Sequence, residues 1–104
     1  MLVVVDAENV RRSLWPNLSR DELMARARDW GAREGHELLI VFDGEAPENA
    51  PDLRGSAYAD DEIVRIATTI DLPYWLVTSD RELRERVGDR PERVLGGGTF
   101  ARLL

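Results

Sequence analysis

Five aspartates border the most regular segments of this sequence. The stretch "GSAYADDEIVRIAT", residues 55–68, places Asp60 and Asp61 side by side where a segment with helical spacing begins. Asp6, Asp43 and Asp80 end or follow apolar runs, in "VVVD", "VFD" and "VTSD". Carboxylates grouped in this way are ligands for a hard divalent cation such as Mg²⁺ or Mn²⁺. Such an ion activates water and stabilises an in-line displacement at phosphorus.

A simpler structural role exists for each aspartate taken alone. Asp80 can cap a helix, and Asp43 before a glycine is a common turn residue. Asp60 and Asp61 can each stabilise the N-terminus of a helix through its dipole, by a few tenths of a kcal/mol. Two like charges about 5 Å apart, at an effective dielectric of about 20, repel by roughly 3 kcal/mol. A cap contributes only about 1 kcal/mol. The whole group therefore makes sense mainly if a cation lies among the carboxylates.

Apolar runs predict the strands that position these aspartates. "LVVV" at residues 2–5, "ELLIVF" at 37–42 and "YWLVT" at 74–78 are short, continuous and rich in β-branched or aromatic residues. This is typical of strands that are covered on both faces. "RVL" at residues 93–95 is a weaker fourth strand. Residues 44–56, rich in proline and glycine, predict one long loop.

Helical patterns separate the predicted strands. Ser19 and Glu22 form a capping box that opens a helix, and Gly35 is a plausible end. The segment after the paired aspartates has one apolar stripe at helical spacing. Ser79 and Glu82 predict a second capping box, and "GGGTFARLL" predicts a glycine turn followed by a short helix.

Strands that alternate with helices predict an α/β fold with a mostly parallel sheet between two helical layers. The length of 104 residues allows one domain, residues 1–104, with no room for a second. In such a sheet the ligand crevice lies at the carboxyl ends of the strands, where the strand order reverses. The first three predicted strands each end in or are followed by an aspartate at that edge.

Composition excludes several kinds of site. The sequence has no cysteine and a single histidine, His36, so a thiolate or histidine-rich zinc site and a catalytic histidine pair are excluded. All 14 basic residues are arginine, which excludes a mechanism that needs lysine. The net charge of −6 argues against tight, non-specific nucleic-acid binding. The amino terminus has no basic region and its apolar run is too short for a signal peptide or a membrane span. We therefore expect a cytoplasmic protein with no membrane partner.

Taken in order, the motifs resemble those of one nuclease family. "VVVDAENV" is similar to the opening D-x-x-N motif of the NYN branch of the PIN-like ribonucleases, and within it to the YacP-like group. "VFDG", "SAYADDEI", "TSDREL" and "RVLGGGTFARLL" resemble the later motifs of that group, in the same order. The resemblance spans nearly the whole chain. It implies a three-layer α/β/α fold with a four- to five-stranded sheet, and metal-dependent endonucleolytic cleavage of RNA.

The resemblance also implies roles for individual residues. Asp6, Asp60 and Asp80 match the principal acidic positions and are the expected catalytic residues. Asp43 and Asp61 match secondary acidic positions, so the expected ligands of Mg²⁺ or Mn²⁺ are all five aspartates. The family usually carries a strand between "FDG" and the paired acids. Residues 44–58 contain no β-rich run, so we expect that strand to be short or missing.

RNA binding also requires contacts beyond the metal. Asn9 matches the early asparagine of the family. Arginines flank the motifs and can contact phosphates; together with Asn9 and Ser79, the candidates are Arg11, Arg12, Arg54 and Arg81. Trp15 could stack a base, but a tryptophan in such a loop more often closes the core, which is the interpretation we favour here. Trp30 and Trp75 are expected in the core, and the three glycines from Gly96 to Gly98 are expected in a turn.

Other classes of acidic site fit less well. A receiver domain or a haloacid-dehalogenase-like phosphatase requires a lysine, and a Toprim-like site requires a glutamate after the first strand and a later Asp-x-Asp pair. The alternative from another class is a non-catalytic PIN-like module that binds RNA or protein. The sequence leaves open the RNA target, a ribosome or partner protein, a toxin role, and whether the chain is a monomer or a homodimer.

Overall fold

Five parallel strands form one sheet in the computed structural model, which describes all 104 residues. The strands are β1 (Leu2–Asp6), β2 (Glu37–Asp43), β3 (Leu53–Ser56), β4 (Tyr74–Val77) and β5 (Arg93–Leu95). Their order across the sheet is β3-β2-β1-β4-β5, so the chain first builds outward from β1 on one side and then on the other. The strand order therefore reverses beside β1, at the boundary with β4.

Helices cover both faces of this sheet. They are α1 (Ala7–Arg12), α2 (Arg20–Glu34), α3 (Ala59–Thr69), α4 (Arg81–Val87) and α5 (Gly97–Leu103). One hydrophobic cluster joins α1, α2 and α5 to one face, and a second joins α3 and α4 to the other. The predicted three-layer α/β/α fold is confirmed. None of the helices has the length and apolar character that a membrane span requires.

The alternation of side chains along the central strand explains the two cores. Val3 and Val5 of β1 point into the first cluster, whereas Val4 between them belongs to the second. All three are fully buried. A strand that is buried on both faces needs a continuous apolar run, and "LVVV" supplies it. Because β1 has a neighbour on each side, it anchors the edge at which Asp6 ends the strand.

The region predicted as one long loop contains a strand at its end. Residues 53–56 pair with β2, with Leu53 opposite Ile40 and Ser56 opposite Asp43. No β-rich pattern marks this strand, since it has only four residues and includes Gly55. That glycine is required by packing, because a Cβ there would overlap the backbone oxygen of Gly44. The third strand is therefore short rather than missing.

The helix starts differ from the prediction in two places. The capping box of Ser19 with Glu22 is confirmed, and so is the end of α2 at Gly35, whose φ of 72° suits glycine. The second capping box is wrong: Asp80 is the N-cap of α4, and its Oδ1 accepts a hydrogen bond from the Leu83 backbone at 3.2 Å. The short helix α1 was not predicted. The prediction missed it because it follows β1 directly, with no turn signal between them.

The predictions for the tryptophans and for the three glycines from Gly96 to Gly98 are confirmed only in part. Trp30 is buried and Trp75 packs against the same cluster, with His36 in contact with both rings. Trp15 is exposed, so the expectation that it closes the core is wrong. The glycine run does not form a separate turn, since Gly96 caps α5 and the helix begins at the next residue.

Candidate active site

A cavity of about 510 Å³ opens at the carboxyl ends of β1, β2 and β4, and no hydrophobic residue lines it. This is the edge at which the sequence predicts the ligand crevice. Four of the five predicted aspartates lie there, together with three of the predicted substrate-binding residues. The lining residues are Asp6, Glu8, Asn9, Arg12, Ser13, Asp43, Asp60, Ser79, Asp80 and Gly98.

Asp6 is the deepest carboxylate of the cavity, with 6% of its surface exposed. Thr78 donates a hydrogen bond to its Oδ2 at 2.8 Å, and no arginine pairs with it. Burial raises the pKa of Asp6 to about 6, opposed by the Thr78 hydroxyl and the Asn9 backbone and assisted by the negative charges of Asp60 and Asp80. The ionised form of Asp6 is therefore disfavoured in this environment, as expected for a buried carboxylate with no cation beside it.

The two neighbouring aspartates of α3 have different partners. Asp60 lines the cavity, and burial together with the charges of Asp80 and Asp43 raises its pKa, although Arg86 opposes this. Asp61 lies outside the cavity, in an adjoining recess of about 330 Å³. It accepts a hydrogen bond from Arg86 of α4 at 2.7 Å. The pair therefore divides into one residue that faces the cavity and one that links two helices.

Asp43 and Asp80 each accept a hydrogen bond, through one carboxylate oxygen, from a backbone N–H at the start of a helix. Asp43 Oδ1 accepts a hydrogen bond from the Ala59 backbone at 3.3 Å, at the first residue of α3. Asp80 caps α4 in the same way and also lines the cavity. In both residues the second oxygen has no hydrogen-bond partner within the protein. The structural role and a role in ligand binding are therefore compatible in the same side chain.

Asn9 and Ser79 join three elements beside the carboxylates. Asn9 Oδ1 accepts a hydrogen bond from the Ser79 backbone at 2.9 Å, and Ser79 Oγ accepts one from the Gly97 backbone at 2.8 Å. A Cβ on Gly97 would overlap Asn9 Oδ1, so this position requires glycine. These contacts fix the loop between β4 and α4, which carries Asp80. Both residues line the cavity as predicted, and their main observed contacts are internal.

Glu8 is a cavity residue that the sequence interpretation left out. It is 8% exposed, and its carboxylate forms ion pairs with Arg11, Arg12 and Arg20. Arg20 also donates hydrogen bonds to the backbone oxygens of Asp43 and Glu45. The signal was available, because arginines three and four residues after a glutamate are its neighbours on a helix. Glu8 was set aside because, with α1 not predicted, helical or turn geometry could have aimed its side chain outward.

The candidate arginines do not all reach the cavity. Arg12 lines it and has a largely exposed side chain. Arg11 instead closes the following loop, since its Nε donates a hydrogen bond to the Leu18 carbonyl at 3.0 Å. Arg54 donates to the carbonyls of Pro51 and Leu53, and Arg81 is exposed at the start of α4, outside the lining. Of the four, Arg12 alone lines the cavity.

The cavity suits a hard divalent cation in donor type and charge, without enclosing one. All its acidic residues offer oxygen donors, and burial and mutual repulsion raise the pKa values of Asp6 and Asp60, with Arg86 opposing this only at Asp60. Nowhere in the structure do three histidine or carboxylate side chains converge closely enough to hold an ion by themselves. Mg²⁺ keeps several waters and is commonly held by one or two carboxylates with substrate phosphates. The residues therefore fit an ion whose coordination is completed by water and substrate.

Comparison with known proteins identifies the fold. No protein-family model matches this sequence, and neither does any curated protein. Among solved structures, a tryptophan-to-leucine mutant of Rae1 (YacP) from Bacillus subtilis superposes with a TM-score of 0.76. The match covers 98% of this chain and 72% of that one, at 19% sequence identity. The chain therefore has a YacP-like fold, consistent with the PIN-like sandwich expected from the motifs.

Proposed function

We propose that this chain is a metal-dependent endoribonuclease of the NYN branch of PIN-like proteins, which hydrolyses RNA phosphodiester bonds at its aspartate cavity. The observation that supports this most directly is the group of Asp6, Asp60 and Asp80. These carboxylates lie around one open polar cavity, none is paired with an arginine, and mutual repulsion contributes to the raised pKa of Asp6. A purely structural group would be expected to recruit the arginines that are close by.

In this proposal Asp6, Asp43, Asp60 and Asp80 bind Mg²⁺ or Mn²⁺ directly or through coordinated water, and water and substrate complete the coordination. Bound in this cavity, the ion would lower the pKa of a coordinated water and stabilise negative charge on the phosphoryl oxygens. Asp6 would supply a carboxylate fixed by the Thr78 hydroxyl, and Asp80 would supply the oxygen that its capping role leaves free. Asp61 is not part of this set, because it is bound to Arg86 outside the cavity.

The remaining residues of the cavity would orient the RNA backbone. Arg12 is the exposed cation beside the carboxylates, so it is the natural contact for a phosphate next to the cleaved bond. Asn9 and Ser79 would act mainly by positioning the loop of Asp80. Glu8 would hold Arg12 at the edge of the cavity while it neutralises part of the local positive charge.

The first test is thermal unfolding across titrations of Mn²⁺ and Mg²⁺, with Ca²⁺ and a chelator alongside. An ion that binds only the native state stabilises it by about 2.7 kcal/mol at a hundredfold excess over Kd, which raises the melting temperature measurably. We expect a saturable rise for the wild type and a smaller one for Asp60→Asn. The matched control is Asp61→Asn, which changes the adjacent residue outside the cavity and should keep the full rise.

Cleavage of single-stranded RNA, followed on denaturing gels, then tests the activity itself. We expect products that require Mg²⁺ or Mn²⁺ and are lost in Asp60→Asn but kept in Asp61→Asn. If the wild type gives neither a metal-dependent rise nor cleavage in millimolar metal, the endonuclease proposal is wrong.

The alternative is a non-catalytic module with the same fold that binds RNA or protein. It is favoured by the absence of three converging ligands. This alternative predicts RNA binding that is indifferent to metal, and identical behaviour of the Asp60→Asn and Asp61→Asn variants.

A further inference from the structure

Exposed aromatic side chains occur at two places in this molecule, and each is two residues along the chain from a residue that lines the acidic cavity. Six large hydrophobic residues are exposed, and the two highest values belong to aromatic ones, Trp15 at 89% and Tyr58 at 73%. The other four are aliphatic: Met1, Leu72, Val94 and Leu103. Surface that stays in water adds nothing to the hydrophobic stabilisation of the fold. The position of these two rings therefore calls for an explanation other than core packing.

Trp15 lies in an anchored loop that begins at the cavity. Ser13 lines the cavity, and two peptide links place the Cα of Trp15 within about 7 Å of its Cα. Arg11 closes the loop, since its carbonyl accepts from the Leu18 backbone at 3.1 Å and its Nε donates to the Leu18 carbonyl. Leu14 packs against the core. The loop thus buries its leucine and presents the adjacent indole to solvent.

Tyr58 is attached to the opposite face of the sheet from Trp15, since Ala59 beside it packs in the second cluster and Leu14 packs against the first. It is the N-cap residue of α3, and its backbone N–H donates to Ser56 Oγ at 3.1 Å. It lines the adjoining recess together with Asp43 and Asp60, which also line the main cavity. The recess and the cavity therefore share a wall of carboxylates, with the phenol ring of Tyr58 beyond it.

We propose that Trp15 and Tyr58 stack bases of single-stranded RNA on either side of the phosphate that enters the cavity. This inference rests on the proposed function and assigns two base-stacking positions beside its site. An aromatic ring can stack only on a base that is splayed out of a helix, so paired RNA is excluded from these two positions. With a net charge of −6 and one exposed arginine in the cavity lining, the chain gains little affinity from phosphates. Stacking supplies the affinity instead.

The test is binding of a fluorescein-labelled single-stranded oligoribonucleotide, measured by anisotropy in Ca²⁺ with the intact length checked on a gel. We expect Trp15→Ala and Tyr58→Ala each to weaken binding roughly tenfold. Trp15→Phe and Tyr58→Phe keep a ring and should stay within about threefold of the wild type. Leu72→Ala is the matched control, because Leu72 is exposed and apolar but precedes β4 at the opposite edge of the sheet.

Two further measurements isolate the stacking contribution. A hairpin that pairs the same sequence should bind much more weakly than the single strand, and affinity for the single strand should depend only shallowly on salt, because few phosphates are neutralised. All variants should unfold at the temperature of the wild type, since both rings are in water. Affinities of the alanine variants within twofold of the wild type, or equal binding of hairpin and single strand, would overturn the inference.

The two proposals can fail separately. If RNA is cleaved in a metal-dependent reaction and the alanine variants cleave and bind as well as the wild type, the endonuclease stands and the stacking inference is wrong. If the rings control binding but no metal supports cleavage, the stacking inference stands and the endonuclease proposal is wrong.

Discussion

Asp6 in the acidic cavity and Asp52 on the flank between α2 and β3 differ in their partners, since only Asp52 is paired with an arginine. At the flank, Asp52 receives two hydrogen bonds of 2.8 Å from Arg28, which also contacts Glu48. This lowers the pKa of Asp52 and raises that of Arg28. In the cavity, Asp6 is more deeply buried and has no arginine, and its pKa is raised to about 6. The chain pairs the partly exposed carboxylate and leaves the buried one unpaired.

A shortage of arginine does not explain this difference. Glu8 is two residues from Asp6 and takes three arginines at the same edge of the sheet. Burying an unpaired charge is costly, so stability alone would favour the reverse arrangement. The comparison teaches that the cavity holds a buried carboxylate, Asp6, that no arginine neutralises, and that a bound cation can neutralise it.

The largest expected effect is a difference in RNA cleavage between a variant of the cavity and a variant of the flank. Asp6→Asn should reduce RNA cleavage by at least about a hundredfold, because in the proposal it removes a carboxylate that holds the catalytic metal ion. Asp52→Asn should leave kcat/KM within about twofold of the wild type. Cleavage rates of both variants in Mn²⁺ check this. If Asp6→Asn keeps more than a tenth of the wild-type activity, the unpaired carboxylate of Asp6 is not needed for cleavage.

The next effect is a dependence of stability on pH. The pKa of Asp6 is about 6 in the folded chain against an ordinary value of 3.8. Between pH 4 and 6 the folded state therefore binds more protons than the unfolded state, and the free energy of unfolding falls as pH rises, by about 3 kcal/mol in total. Asp60 acts in the same direction. Above pH 6 the contribution of Asp6 is flat.

Urea unfolding at pH 4.5, 5.5 and 7, with a chelator present, measures this dependence. Asp6→Asn should be more stable than the wild type at pH 7 and should lose most of the slope. Below pH 4 the sign reverses, because carboxylates with lowered pKa values, such as Asp52, then lose their contribution. The interpretation would be wrong if the free energy of unfolding of the wild type does not change from pH 4 to 6. It would also be wrong if Asp6→Asn keeps the same pH dependence, because ionisation of Asp6 would then not destabilise the fold.

A smaller effect is expected at the contact that shapes the cavity. Gly97→Ala places a methyl group against Asn9 Oδ1 and should cost about 2 kcal/mol of stability. It should also reduce cleavage, since Asn9 and Ser79 hold the loop of Asp80. Gly98→Ala is the control, because its nearest neighbours lie at 3.6 Å or more. Thermal unfolding and cleavage rates of both variants test this, and equal behaviour would contradict it.

The smallest effect concerns the paired flank. Asp52→Asn should lower the free energy of unfolding by about 1 kcal/mol, as for a two-point arginine contact near the surface. Asp29→Asn, which removes an exposed pair with Arg33 at 3.6 Å, should have no measurable effect. Urea unfolding at pH 7 compares them. Equal losses of unfolding free energy in the two variants would mean that the two-point hydrogen bonding from Arg28 stabilises the fold no more than the exposed Asp29–Arg33 ion pair does.

Much of the fold could be predicted because its signals are local. The four predicted strands all occur, and β5 has the predicted bounds at Arg93–Leu95. The missed elements are short. β3 has four residues and depends on pairing with β2, and α1 has six residues directly after a strand. Neither is long enough to produce a periodic pattern, so tertiary contacts decide their structure.

The site was predicted in outline for the same reason. Strand ends share one edge of a parallel sheet, so the aspartates that follow the strands were expected together, and Asp6, Asp43, Asp60 and Asp80 do line one cavity. The grouping failed for Asp61, whose partner Arg86 lies 25 residues away in sequence. Glu8 was set aside because its direction depended on whether a helix follows β1, although two of its arginine partners are local in sequence.

The sequence by itself determined the order of strands and helices, and with it the edge at which the acidic residues collect, because hydrophobic periodicity and strand polarity are properties of the chain. Only the tertiary structure decided which carboxylates are neutralised. Burial depth, the arginines that Glu8 binds and the direction of each residue in the Asp60–Asp61 pair depend on contacts between elements. The charge that remains unmatched at Asp6 is therefore a property of packing, since it arises from which groups the fold places beside it.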